Sequence, residues 1–211
     1  MKYRAVLFDF DYTLGDSTKG IVLSANAALQ RMGLEAQSEE AIRRTVGLSL
    51  RDTYRALTGD ENPQAADSFA AFFREKADQV MAESAVLYPS VPPLLKALRS
   101  QGLRMGVVTT KFRYPILQIL GKYGLTDSVD CIIGAEDVKE EKPSPEGILL
   151  AMERLGMRKE EILYVGDSAV DAAAAERAGV AFAGVLTGTT PEEALRGRTC
   201  VWIGKEVGEI G

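Results

Sequence analysis

The sequence predicts an α/β fold: a parallel sheet with helices on both faces, plus an inserted all-helical domain. Three observations lead there. From Tyr88 onward, short apolar runs alternate with helix-length amphipathic segments, which is the rhythm of βαβ crossovers. One further apolar run, Arg4 to Leu14 (RAVLFDFDYTL), stands at the N-terminus. Between them, residues 15–85 show helical periodicity and no convincing strand.

The elements follow in order. Gly15-Asp16-Ser17-Thr18 reads as a turn and helix N-cap, and Val22, Ala25, Leu29 and Met32 form the stripe of a helix ended by Gly33. Ser38 caps a second helix with Ala41 and Ile42 turned inward. Gly47-Leu48-Ser49 breaks it, and Arg51 to Leu57 is a third. Pro63 opens a long fourth helix, whose Phe69, Phe72, Phe73, Val80 and Met81 follow helical spacing as core residues. Pro89 to Ser100 is a helix closed by Gly102, Leu103 to Thr109 a strand, and Tyr114 to Tyr123 a helix closed by Gly124. Val129 to Ile133 is a short strand. Ser144-Pro145 caps a helix running to Leu155, and Glu161 to Val165 is a strand. Ser168 to Ala178 is an alanine-rich helix ended by Gly179, and Ala181 to Leu186 and Thr199 to Ile203 are the last strands. Such a sheet is Rossmann-like. The expected division is a core domain of residues 1–14 and 86–211, with a helical domain of residues 15–85 inserted after the first strand.

Composition narrows the function classes. A chain of 211 residues is long enough for one large domain or a medium domain and a small one. A net charge of -5 argues against a nucleic-acid partner. No apolar run approaches the ~20 residues of a membrane span, and no signal-peptide pattern opens the chain, so a cytoplasmic location is expected. Cys131 and Cys200 sit in apolar strand-like runs and are expected to be buried free thiols. There is no histidine, which excludes Ser-His-Asp and Cys-His catalysis, phosphohistidine chemistry and His-ligated zinc. Any metal should be a hard cation with oxygen ligands.

Polar residues gather at strand ends. Asp9 and Asp11 close the first strand, Thr109, Thr110 and Lys111 another, and Gly166-Asp167-Ser168 a third. In a parallel sheet these ends share one edge, where ligands bind. Lys142-Pro143-Ser144-Pro145 precedes a helix in the same kind of loop. Asp9, Asp11, Asp167 and Asp171 would place up to four negative charges in one crevice, and Mg2+ is the simplest counter-ion. The Thr109 hydroxyl and helix N-termini suit a phosphate oxygen, and Lys142 offsets charge, as phosphoryl transfer requires.

The set FDFDYTL, VVTTK, KPSP and GDSAVDAAAAERAG resembles the haloacid dehalogenase-like superfamily of phosphohydrolases, all four motifs in order, and its phosphoglycolate phosphatase-like and pyrophosphatase-like members in particular. The insertion resembles that family's cap. The resemblance implies Asp9 as nucleophile and metal ligand. It implies Asp11 as acid, then base, with its backbone carbonyl on the metal. Thr109 would hold the phosphoryl group, Lys142 would orient Asp9 (Lys139 being a rival), and Asp167 would ligate Mg2+. Asp171 and Ser168 would support that site, and Thr110 and Lys111 would meet substrate. A carboxylate at Asp11 favours phosphate esters or anhydrides over dehalogenation. Tyr12 departs from the family, which most often has glycine there; either its backbone stays in an ordinary region or its ring points into the cleft mouth.

The implied activity is Mg2+-dependent hydrolysis of a small phosphorylated metabolite through an aspartyl phosphate, with 2-phosphoglycolate, a sugar phosphate or pyrophosphate as substrate. The cap would open and close over the site, with specificity set by Arg43, Arg44, Gly47-Leu48-Ser49 and Arg51. Rival readings are a phosphomutase and a non-catalytic phospholigand-binding protein, as a monomer or homodimer.

Overall fold

The structure, a computed structural model, describes residues 2–210. In chain order the elements are β1 (Ala5–Phe8), β2 (Gly15–Asp16), α1 (Thr18–Arg31), α2 (Glu39–Arg43), α3 (Leu50–Thr58), α4 (Pro63–Ser84) and β3 (Val86–Leu87). Then come α5 (Val91–Ser100), β4 (Arg104–Val108), α6 (Arg113–Lys122), β5 (Cys131–Ile133), α7 (Glu146–Leu155), β6 (Ile162–Gly166), α8 (Ala169–Ala178), β7 (Ala181–Val185), α9 (Glu192–Leu195) and β8 (Cys200–Gly204). The chain divides into two compact units, one of residues 1–15 and 87–211 and one of residues 16–86.

The first unit carries a six-stranded sheet in the order β5-β4-β1-β6-β7-β8. Every pairing is parallel. The chain builds outward from β1 through β4 to β5, then restarts at β6 on the other side of β1. A topological switch therefore lies between β1 and β6. Central β1 is buried along its whole length, as a strand covered on both faces must be. Ala5 and Leu7 pack on one face with Ile148, Ala151, Ala174 and Ala175 of α7 and α8. Val6 and Phe8 point to the other face, because side chains alternate along a strand.

The second unit is helical. Its core is Ile21, Ala25, Ala28 and Leu29 of α1 against Phe69, Phe73, Ala77 and Met81 of α4, with Ile42 and Tyr54. A Cβ on Gly20 would meet Met81 Sδ at 2.9 Å, so glycine there lets α1 lie close to α4.

Several expectations are corrected. The buried stripe of α1 runs through Ile21, Ala25, Ala28 and Leu29; Val22 and Met32 are only partly buried. Gly15–Asp16 is a short strand rather than a turn. Ser17 makes no side-chain cap, and Asp16 Oδ1 instead accepts from the Thr18 N–H at 2.8 Å. Val86–Leu87 is also a strand. β1 ends at Phe8, before either aspartate. Neither cysteine is fully buried, because β5 and β8 are the sheet edges. The four-residue helix α9 was not anticipated, being too short to show periodicity.

Candidate active site

Asp9 lies one residue past β1, where its N–H still donates to the Val165 carbonyl of β6 at 2.8 Å. The chain then turns sharply. The Phe10 carbonyl accepts from Leu14 at 2.9 Å and Gly15 at 3.1 Å, and the Tyr12 N–H donates to the Gly15 carbonyl at 2.7 Å. Tyr12 takes a left-handed φ of 59° and its side chain is 2% exposed. The expectation of an ordinary backbone at Tyr12 is thereby corrected, and the residue is buried. The turn's hydrogen bonds hold the φ that glycine would take without strain.

Lys142 is the hub of a buried cluster. Its Nζ donates to Asp9 Oδ1 at 2.7 Å, Asp171 Oδ1 at 2.6 Å and the Tyr164 hydroxyl at 3.2 Å. The rival Lys139 is exposed. Asp171 uses both of its oxygens. Oδ1 takes Lys142 and the Tyr164 hydroxyl at 2.8 Å, and Oδ2 accepts from the Ser168 N–H at 3.1 Å and the Ser168 hydroxyl. The Ser168 N–H contact, with the Asp171 N–H donating back to Ser168 Oγ at 3.2 Å, forms a capping box that opens α8. Asp171 is therefore fully buried rather than an exposed helical carboxylate. Tyr164 was not among the residues singled out from sequence; its only signal is one polar tip in an apolar strand.

Asp167 lies one residue past β6, next to the switch point, and accepts from the Thr13 hydroxyl at 3.3 Å. Carboxylate oxygens of Asp9, Asp167 and Asp171 lie within 4.8 Å of one another. Asp11 is turned aside: its Oδ2 lies 3.1 Å from Lys111 Nζ, and its buried Oδ1 has no hydrogen-bond partner. The Thr109 hydroxyl accepts from the Lys111 N–H at 3.2 Å, which leaves its own proton free to donate. Thr110 is half-buried. These residues share the first unit. Gly47 and Arg51 belong to the second, where Gly47 makes a left-handed turn (φ 95°) and Arg51 Nε pairs with Asp67 at 2.5 Å.

Electrostatics follow from this crowding. Burial pushes the Asp9 carboxyl up to about 7; Lys142 pulls it back, and Asp171 and Asp11 add repulsion. Burial, with Asp171 and Asp9, drives Asp167 well above the usual carboxylate range. Burial alone would lower Lys142, but Asp171 and Asp9 together raise it well above its ordinary value, so it stays charged. Four carboxylates face two ammonium groups, a deficit that one divalent cation would neutralise. Asp9 and Asp167 have oxygens to offer, and the all-oxygen donor set fits a hard cation. Both oxygens of Asp171 are already engaged, by Lys142, Tyr164 and Ser168.

The haloacid dehalogenase-like hydrolase model matches residues 6–185, which takes in β1, the helical unit and β4 to β7. The chain belongs to this family. This chain is 35% identical to the pyrophosphatase PpaX of Bacillus pumilus over 91% of its own length and 87% of that protein. It is also 32% identical to the phosphoglycolate phosphatase of Photorhabdus laumondii, over 91% and 84% of the two chains. A crystal structure described as a haloacid dehalogenase-like hydrolase from Bacteroides fragilis superposes over both complete chains, with a TM-score of 0.96 at 40% identity.

Proposed function

We propose that this haloacid dehalogenase-like hydrolase is a Mg2+-dependent phosphatase of a small phosphorylated metabolite, working through an aspartyl phosphate on Asp9. One observation carries the reading: a buried Asp9 is held by Lys142 Nζ at 2.7 Å beside a second buried carboxylate, Asp167. Lys142 fixes the rotamer of Asp9 and leaves Oδ2 to attack phosphorus in line with the leaving oxygen. Asp11 gives its proton to that oxygen, then takes one from the water that opens the aspartyl phosphate. The Thr109 hydroxyl and neighbouring N–H groups receive the phosphoryl oxygens, and Lys111 and Thr110 face the rest of the substrate. Asp9, Asp167 and the Asp11 carbonyl would hold the Mg2+, which would supply charge neutralisation for the nucleophile and the phosphoryl group. Tyr164 and Asp171 keep Lys142 aimed.

The named relatives support the substrate class, since they act on phosphoglycolate and pyrophosphate. The helical unit, residues 16–86, is assigned the role of substrate-selecting cap because it is inserted directly after the Asp9–Thr13 loop. The test is Asp9→Asn. Turnover of p-nitrophenyl phosphate should vanish while the unfolding midpoint stays near wild type; unchanged turnover sinks the mechanism. Stoichiometric release of inorganic phosphate by wild type excludes a mutase.

A further inference from the structure

The segment after β7, Leu186-Thr187-Gly188, takes no part in the reaction proposed above, yet it touches both carboxylate-bearing loops. Its start is pinned where the Leu186 N–H donates to the Gly204 carbonyl at 3.0 Å. The Thr187 hydroxyl then donates to the carbonyl of Tyr12. That carbonyl belongs to the left-handed residue directly after Asp11 and directly before Thr13, whose own hydroxyl reaches Asp167. One residue on, Gly188 lies against Asp167 itself. A Cβ at Gly188 would sit 1.9 Å from Asp167 Oδ2 and 2.8 Å from its Cγ. Gly188 is not among the glycines with positive φ, so its backbone would accept alanine. Space, rather than conformation, requires glycine there.

We propose that Thr187 and Gly188 are positioning residues that clamp the Asp11 loop and the Asp167 carboxylate in register. Sheet topology explains why this segment does it. β7 pairs with β6, β6 pairs with β1, and the loops leaving all three strands lie at one edge. The loop after β7 crosses the end of β6 to hold the loop after β1. Thr187 offsets the strain of a left-handed tyrosine by bonding its carbonyl, which fixes where the Asp11 side chain leaves the backbone. Gly188 presents bare backbone, against which Asp167 lies with no room to swing toward β7. The inference rests on the reading that Asp11 and Asp167 serve the reaction.

Two variants test it. Thr187→Val should lower kcat for p-nitrophenyl phosphate about tenfold or more with KM within about twofold, and Thr187→Ser should recover most of it, because a misplaced Asp11 slows proton transfer without weakening binding. Gly188→Ala should displace the Asp167 carboxylate and weaken Mg2+ binding about tenfold or more by calorimetric titration, at unchanged far-UV circular dichroism. Wild-type kcat in Thr187→Val, or wild-type Mg2+ affinity in a folded Gly188→Ala, overturns the proposal. Asp9→Asn run alongside separates the two readings. If it retains turnover, the phosphatase mechanism falls, and the Mg2+ titration alone then judges the clamp.

Discussion

Tyr12 is pulled in two directions. Its left-handed backbone costs about 1–2 kcal/mol for a residue with a Cβ. Its buried ring contributes more, since truncating a buried aromatic costs about 3–5 kcal/mol. Tyr12→Gly should therefore destabilise the protein by about 2 kcal/mol, read as a lower urea midpoint at unchanged slope. Burial outweighs strain at this site, so the ordinary backbone that the sequence allowed for is not adopted. Asp9, Asp167 and Lys142 were legible because each is a polar residue where an apolar strand stops or a helix is about to start. Tyr164 and Thr187 were not, for two different reasons. A tyrosine inside a strand reads as core, and its hydroxyl gains meaning only once the register puts Val108 and Asp171 beside it. A threonine in a loop gains meaning only once the partner loop is known.

Helix α8 shows how one element can hold a site together. Ser168 caps its N-terminus, and Asp171 answers from the first turn. Ser168→Ala should cost more than the ~1 kcal/mol of an ordinary cap, because a buried carboxylate oxygen also loses a partner at about 1–3 kcal/mol. Chemical denaturation should thus show a loss of about 2–4 kcal/mol. Edge strand β5 gives a second measurable consequence. Burial pushes the Cys131 thiol up to about 11, although it is only half-buried. Near pH 8 it should alkylate about a hundredfold more slowly than a free thiol, with the rate still rising toward pH 11, as followed by peptide mass spectrometry. The order of strands and helices could be read from the rhythm of apolar runs and glycine stops. The inward face of α1 could not. A helix turns ~100° per residue, so shifting the stripe from Val22 to Ile21 depends on where α4 lies, and no local pattern encodes that.

For the molecule as a whole, the sheet order is what gathers charge. Residues far apart in sequence, such as Asp9 and Lys142, meet because β1 sits between β4 and β6, and sequence periodicity is silent on which strand is central. The resulting excess of carboxylates makes stability depend on cation and pH together. Asp9 holds a proton up to about pH 7 in the metal-free protein, and that proton must leave before a divalent cation can bind. A raised carboxylate also means that its contribution to metal-free stability is present at low pH and is lost as pH rises toward 7. Excess Mg2+ should therefore raise the unfolding temperature more near pH 8 than near pH 6, with affinity falling up to about tenfold per pH unit below 7. The hub of the cluster has a stereochemical consequence of its own. An alkylammonium carries three N–H bonds splayed as a tripod, and Lys142 has three acceptors waiting: Asp9, Asp171 and Tyr164. A guanidinium is a flat fork and cannot reach three acceptors arranged that way. Lys142→Arg keeps the charge and loses the shape, so it should be nearly as inactive toward p-nitrophenyl phosphate as Lys142→Met.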